Sequence, residues 1–160
     1  MNPSVRKMTR HDKPSVMRIL KATPEFLPTE VVVAEEVIDA YLNDPSGSGY
    51  EVYVAVADSI IKGYVCFGHN PMTESTWDVY WIAVSAGSQG QGIGRLLMSS
   101  AEQLIDARAG RLVVVETSAK PSYERTRRFY DGLSYEAICT IPDFYAPSDG
   151  KVIYTKRLKR

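Results

Sequence analysis

The chain has 160 residues, of which 44% are hydrophobic and 24% charged, with 19 Lys plus Arg balancing 19 Asp plus Glu. Such a chain is long enough for one globular domain with a substantial core, and residues 1–160 are expected to form that single domain. Zero net charge excludes a global field drawing the chain to nucleic acid or a membrane, so any electrostatic site must be local. The N-terminus carries charges every few residues without an apolar leader, and no run approaches a membrane span, so a cytoplasmic location is expected. Cys66 and Cys139 stand in apolar surroundings outside any Cys/His cluster. Two buried free thiols and no metal site are expected.

In chain order, Val5 to Met8 is a short strand candidate, followed by Thr9 as a cap for a helix from about Asp12 to Lys21 with Pro14 in its first turn. Residues 22–28 break that pattern. Thr29-Glu30 opens a second helix to about Leu42, with Val33, Val37, Ile38 and Tyr41 on one face. Residues 43–49 (NDPSGSG) are a loop. Tyr50 to Ala57 and Ser59 to Phe67 read as a hairpin joined at Asp58, and Trp77 to Val84 (WDVYWIAV) as a third long strand. On that strand Asp78, Tyr80, Ile82 and Val84 share a face by period two.

The next stretch, Gln89-Gly90-Gln91-Gly92-Ile93-Gly94, alternates glycine with other residues between this strand and a helix. The helix is marked by Ile93, Leu96, Leu97, Ala101, Leu104 and Ile105 at spacings of three and four. A strand, a glycine loop and a helix N-terminus make an anion site, because glycine lets amides approach a phosphate and the helix dipole favours its charge. A P-loop is excluded, since no Lys-Ser or Lys-Thr follows the last glycine, and the dinucleotide fingerprint fails at Arg95. Arg111 to Glu116 (RLVVVE) is then a buried strand. Ser122 caps a helix from Tyr123 to about Asp131, and Tyr135 to Ile141 and Lys151 to Leu158 are closing strands. Residues 142–150 between them read as a polar loop over a site.

Gln89, Gly92 and Gly94 satisfy the pattern Gln/Arg-x-x-Gly-x-Gly/Ala directly after a strand ending in Ala83-Val84. This resembles the acetyl-CoA pyrophosphate loop of the GNAT family of N-acetyltransferases. Arg127-Arg128-Phe129-Tyr130 with Tyr135 is similar to the family's R-x-F-Y-x-x-x-G-F element, with Ser134 in place of the usual glycine. The element order β, α, α, β, β, β, glycine loop, α, β, α, β, β extends the resemblance to the whole chain. It implies an α/β (α+β) fold with a mixed sheet of about six to seven strands flanked by about four helices. It implies acetyl-CoA as cosubstrate, held by Ile82, Ala83, Val84, the loop Gln89, Gly90, Gln91, Gly92, Ile93, Gly94, Arg95, and Tyr130. Ser118 and Ser122 stand where the family often has an Asn, and that contact is not carried over. The basic cluster Arg125, Arg127 and Arg128 admits two readings, a contact to the adenosine phosphates of CoA or, the commoner outcome for such runs, a solvated helix face.

Acyl transfer to an amine of pKa near ~10.4 needs a base, an oxyanion donor and an acid for the leaving thiolate. A free amide near Ile82 to Val84 suits the oxyanion. By resemblance, Tyr130 is the acid. Two carboxylates compete as base: Asp78 matches the position of the Glu in histone-type members, and Glu116 resembles the Glu of the protein N-terminal alanine acetyltransferases. Glu116 is slightly favoured, because an acid ending an apolar run must face a polar site or incur a desolvation cost of several kcal/mol. Tyr145 resembles the acceptor-side tyrosine of the N-terminal acetyltransferases, and Tyr80 and Glu116 join it as acceptor contacts. The expected partner is a small-molecule or peptide amine, with a homodimer through sheet edges as a further expectation. The alternative from another class is an acetyl-CoA-binding sensor or interaction module without turnover.

Overall fold

The computed structural model describes residues 2–158. Seven strands form one sheet in the order β1-β2-β3-β4-β5-β7-β6: β1 (Ser4–Lys7), β2 (Glu51–Ala57), β3 (Ile60–His69), β4 (Thr76–Val84), β5 (Leu112–Ser118), β6 (Glu136–Ala146) and β7 (Asp149–Arg157). Four helices flank it: α1 (Lys13–Ala22), α2 (Pro28–Asn43), α3 (Ile93–Ala107) and α4 (Glu124–Gly132). β4 and β5 run parallel, as a crossover through α3 requires; every other neighbouring pair is antiparallel.

The sheet has a core on each side. On one, Ile93, Leu97, Met98, Ala101 and Ile105 of α3 and Tyr130 of α4 pack on Phe67, Val79, Val113 and Val115. On the other, α1 and α2 pack through Val16, Leu20, Ala34 and Ile38 on Val52, Val54, Tyr64 and Cys66. Each fully buried aliphatic side chain stabilises by about 1.5–3 kcal/mol relative to exposure, which is why the apolar spacing of α3 fixes its face. On α2 the core stripe is Val31, Ala34, Ile38 and Tyr41, with Val33 left half-exposed.

β4 and β5 pair only from Thr76↔Leu112 to Val79↔Val115. The register of β4 on β3 then jumps, Val79 facing Phe67 and Trp81 facing Cys66, so that Tyr80 is an extra, bulged residue. The bulge inverts the strand's alternation. Trp77 and Val79 lie in the α3 core, but beyond the bulge it is Ile82 and Val84 that pack there, while Trp81 and Ala83 turn to the α1/α2 core. Asp78, Tyr80, Ile82 and Val84 therefore do not share a face.

Three further expectations are corrected. Residues 142–150 are not a loop: β6 runs to Ala146, and a two-residue turn at Pro147-Ser148 leads into β7. Phe144 and Tyr145 are good strand formers, and Pro142 is tolerated because β6 is an edge strand whose register shifts between Ile141 and Ala146. Cys139 is exposed on this edge, whereas Cys66 is buried. Ser122 does not cap α4, since Pro121–Tyr123 form a 3₁₀ turn and Tyr123 precedes the helix without a side-chain cap bond.

Ser134 has φ +68°, a left-handed conformation that costs a residue bearing Cβ about 1–2 kcal/mol. Gly at this position relieves that strain at some cost in unfolded-chain entropy. Ser134→Gly is expected to raise the melting temperature by about 2–4 °C, measured by thermal unfolding. At the N-terminus, Arg6 grips buried Asp12 with two hydrogen bonds of 2.8 and 3.0 Å, and the Thr9 amide donates to the same carboxylate at 2.7 Å. Chiefly through the Arg6 bonds, the Asp12 carboxyl is lowered to about 2. A depressed folded-state value stabilises above the unfolded pKa, and that stabilisation is lost as pH falls toward about 2. Denaturant titrations between about pH 5 and pH 2 should show this loss in the native chain and not in Asp12→Asn.

Candidate active site

Gly90 and Gly92 have φ of +75° and +82°, and Gly92 is the N-cap of α3. The first helical bond runs from the Leu96 amide to the Gly92 carbonyl at 3.0 Å. The amides of Ile93, Gly94 and Arg95 thus have no intrahelical acceptor and stand at the positive end of a 15-residue helix. Gly94 lies under α4, where a Cβ would come within 3.0 Å of the Phe129 ring. Gln89 ties the loop at both ends: its Nε2 donates to the Val84 carbonyl at 3.4 Å, and its Oε1 accepts from Arg125 Nη1 at 3.0 Å. Gln91 donates to the Gly87 carbonyl at 3.2 Å, and Arg95 to the Gly132 carbonyl at 3.4 Å.

Of the basic cluster, then, Arg125 is drawn to the glycine loop. Arg127 is structural, donating to the carbonyls of Ser118 and Lys120 at 2.8 Å each, and Arg128 pairs with Glu124 on the helix surface. A cleft of about 430 Å³ opens beside the loop, walled by Val84, Ser85, Ala86, Gln89 and Arg125 on one side and by α1 and Thr23, Pro24 and Glu25 on the other. Tyr123 bridges its rim, donating to the Glu25 carbonyl at 2.7 Å.

The second half of the site is the gap between β4 and β5. The Ser85 amide donates to the Lys62 carbonyl of β3 at 2.8 Å, and antiparallel alternation gives Ala83 the same orientation. The amides of Ile82 and Val84 therefore point the opposite way, beyond Val79 where the ladder to β5 has ended. Asp78 stands level with Val114, and Glu116 two residues further along β5 lies on the same face. The gap carries Tyr130 on its other face, packed against Phe129, Tyr135 and Tyr154 with ring centroids 5.3, 5.8 and 5.7 Å away. Burial pushes the Tyr130 phenol up.

The two carboxylates sit in different settings, Glu116 in polar surroundings and Asp78 less solvated than its place near a strand start suggests. Glu116 is 46% exposed and pairs with Lys151 at 2.7 Å, Lys151 itself being only 11% exposed. Lys151 Nζ also lies 3.6 Å above the Phe144 ring. Asp78 is half-buried; burial raises its carboxyl pKa, a hydrogen bond from Asn70 opposes the rise, and nearby Glu116 adds to it. Tyr80, edge-on to Tyr50 at 5.6 Å, is pushed up to about 12 by burial and by Asp78. Tyr145 is pushed up to about 12 by burial, then by Glu116, Asp149 and Glu30. Tyr80, Tyr145, Glu116 and Asp78 thus gather at one mouth, while the glycine loop and Tyr130 lie on the far side of the gap.

Lys151 and Tyr123 were missed in the sequence. The alternation of Lys151 and Ile153 with Val152 and Tyr154 was the available signal for Lys151, but it becomes informative only once β7 is known to pair with β5, Ile153 facing Glu116. Among the described residues no cluster of three or more His, Cys, Asp or Glu could hold a metal ion, and no helix is long and apolar enough to cross a membrane. Gly92→Ala forces Cβ into the left-handed N-cap and should destabilise by about 1–2 kcal/mol, read as a lowered denaturation midpoint.

A profile of the acetyltransferase (GNAT) domain matches residues 48–137. No curated protein sequence matches the chain. Among solved structures, one described as an acetyltransferase of the GNAT family, from Desulfovibrio desulfuricans, is 35% identical over 98% of this chain and 99% of its own, with a TM-score of 0.93. The ribosomal-protein-S18-alanine N-acetyltransferase of Escherichia coli (15% identity; 99% of this chain, 96% of that one; TM-score 0.78) shares the fold. So does an aminoglycoside 6'-N-acetyltransferase complexed with coenzyme A (16% identity; 98% of each chain; TM-score 0.76). With its glycine turn, its parted strands and a domain profile spanning more than half its length, the chain belongs to the GNAT family of acetyltransferases.

Proposed function

We propose that residues 1–160 act as a single domain that transfers acetyl from acetyl-CoA to a primary amine, whether small molecule, amino acid or peptide N-terminus, directly in a ternary complex. The observation that carries this reading is the gap between β4 and β5: unladdered amides of Ile82 and Val84 face it, carboxylates stand at one mouth, and the anion cradle lies at the other. The cradle suits a pyrophosphate, because three orphan amides, a helix dipole and Arg125 converge where Gly90 and Gly92 leave open space. Acetyl-CoA supplies the activated thioester when bound, through Gln89 to Arg95 and the backbone of Ile82 to Val84.

The chain's own residues then divide the work. Asp78 takes a proton from the acceptor ammonium, since its raised affinity for protons brings it nearer the working pH than an ordinary carboxylate. Glu116, already bound to Lys151, is the less available base and holds the acceptor's environment polar. The amides of Ile82 and Val84 stabilise negative charge developing on the thioester oxygen, and Tyr130 returns a proton to the departing thiolate. Tyr80 and Tyr145 contact the acceptor.

Release of CoA thiol from acetyl-CoA, measured against a panel of amines and short peptides, tests the reading. Asp78→Asn should lower kcat/KM by about 10²–10⁴, with a smaller loss in Glu116→Gln, and Tyr130→Phe should reduce kcat. Because burial raises the Asp78 carboxyl, the acid limb of the native profile should lie higher than a solvated aspartate would set it and vanish in Asp78→Asn. No turnover with any acceptor, while acetyl-CoA still raises the melting temperature, would favour a non-catalytic sensor instead.

A further inference from the structure

Asp78 has no side chain directly across from it. The residue opposite on β3 is Gly68, and a Cβ there would collide with the Gly49 carbonyl oxygen. A β3 partner for the carboxylate must therefore reach it diagonally, from two residues along the strand on the same face. That position is Asn70, where the β3–β4 turn begins. Its amide still donates to the Thr76 carbonyl at 2.9 Å, so the antiparallel pairing extends that far.

The turn fixes which end of the Asn70 side chain looks at Asp78. Its Oδ1 accepts from the Met72 amide, two residues on, at 3.1 Å, an Asx turn with Pro71 at its centre. A backbone N–H only donates, so the atom it meets is the oxygen, and Nδ2 is left to donate elsewhere. The recipient is the Asp78 carboxylate. Thr73 closes the turn: its amide and its hydroxyl donate to the Asn70 carbonyl at 3.1 and 2.9 Å, and the hydroxyl oxygen accepts from the Thr76 amide at 3.1 Å. Asn70 is thus held at its amide, its carbonyl and its Oδ1. The titratable groups around Asp78 are His69 at the end of β3, Tyr80 on its own strand and Glu116 on β5, the last bound to Lys151 of β7. His69 alternates with Asn70 and packs edge-on against Trp77, its Nε2 3.1 Å from the Glu74 carbonyl oxygen. The Glu74 carboxylate is directed to Arg111 at 3.5 Å.

Resting on the transfer reading above, in which Asp78 is the base, we infer that Asn70 is its positioning residue: locked by the Met72 amide, it donates through Nδ2 to one oxygen of the Asp78 carboxylate and leaves the other turned to the acceptor ammonium. A donor to the ionised form stabilises that form. Burial and the charge of Glu116 push the opposite way. Asn70 therefore keeps Asp78 ionised where the amine arrives, and it fixes the direction in which the second oxygen points. A neutral amide does both without competing with the acceptor for the charge, as a lysine in its place would.

Asn70→Ser and Asn70→Asp separate this role from a structural one. Either side chain still offers an oxygen to the Met72 amide and so keeps the turn, but the serine is too short to reach Asp78 and the aspartate turns an acceptor toward it. NMR titration of the labelled aspartate carboxyl carbons in the full chain, with the Asp78 signal identified by its loss in Asp78→Asn, reads the proton affinity without turnover. The Asp78 titration should move to higher pH in Asn70→Ser and further in Asn70→Asp, where a second carboxylate faces it. In CoA-thiol release the acid limb of kcat/KM should move the same way, and the plateau should fall by about tenfold as the carboxylate loses its fixed direction. An Asp78 titration unmoved in both variants, or moved to lower pH in either, would overturn the proposal, as would a loss of activity with the acid limb in its native place. Titrations that shift as expected in a chain that releases no thiol with any acceptor would uphold the placing of Asn70 and sink the transfer reading. Turnover with an unmoved titration would do the reverse.

Discussion

The short parallel ladder between β4 and β5 is the constraint from which the rest follows. After four paired residues the two strands part, and the bulge at Tyr80 turns the remaining half of β4 over. Backbone amides that a longer ladder would have consumed are left facing the space between the strands. A sheet that ran regularly to its end would have no passage between its two faces. The two hydrophobic cores keep this interruption open: Ile82 and Val84 are anchored on the α3 side, Trp81 and Ala83 on the α1/α2 side. The strand cannot slide back into register without exposing one set or the other.

The same parting separates two kinds of electrostatics. At the glycine turn the charges are the positive end of the α3 dipole and the guanidiniums of Arg95 and Arg125, each held by a hydrogen bond. On the opposite side they are carboxylates, whose behaviour depends on the lysine or amide each can reach. Glu116 and Asp78 illustrate how little residue type decides by itself. They share a sheet face, yet one is exposed and ion-paired and the other half-buried beside an amide.

How much of this was legible in the sequence depended on whether the relevant period was local. The glycine turn, the apolar face of α3 and the order of elements are written within a few residues of one another, and each appears where its spacing put it. The left-handed demand at Ser134 was legible too, as a serine in a position that favours glycine, and it is met at φ +68°. Asp78 and Tyr80 were correctly placed on one strand, but Ile82 and Val84 were wrongly put on their face, because a bulge is set by pairing with β3 rather than by the strand's own residues. The partner of Glu116 was not legible for a similar reason. This counter-ion lies 35 residues away in β7 and reaches it only through β5–β7 pairing. Phe144 and Tyr145 were hidden among Pro, Asp and Ser, whose turn preference yields here to an edge strand able to tolerate them.

That edge strand has a consequence for how the protein can change. Among the described residues β6 pairs with β7 and no other strand, and every one of its residues is exposed. Substitutions on such a strand disturb little packing and typically cost within about 0.5 kcal/mol. The glycine turn is bound to α4, β3 and β4 at once and has no such freedom. Mutational drift is therefore cheap at the hairpin carrying Phe144 and Tyr145 and expensive at the glycine turn, so sequence change can accumulate along the sheet edge long before it reaches the turn.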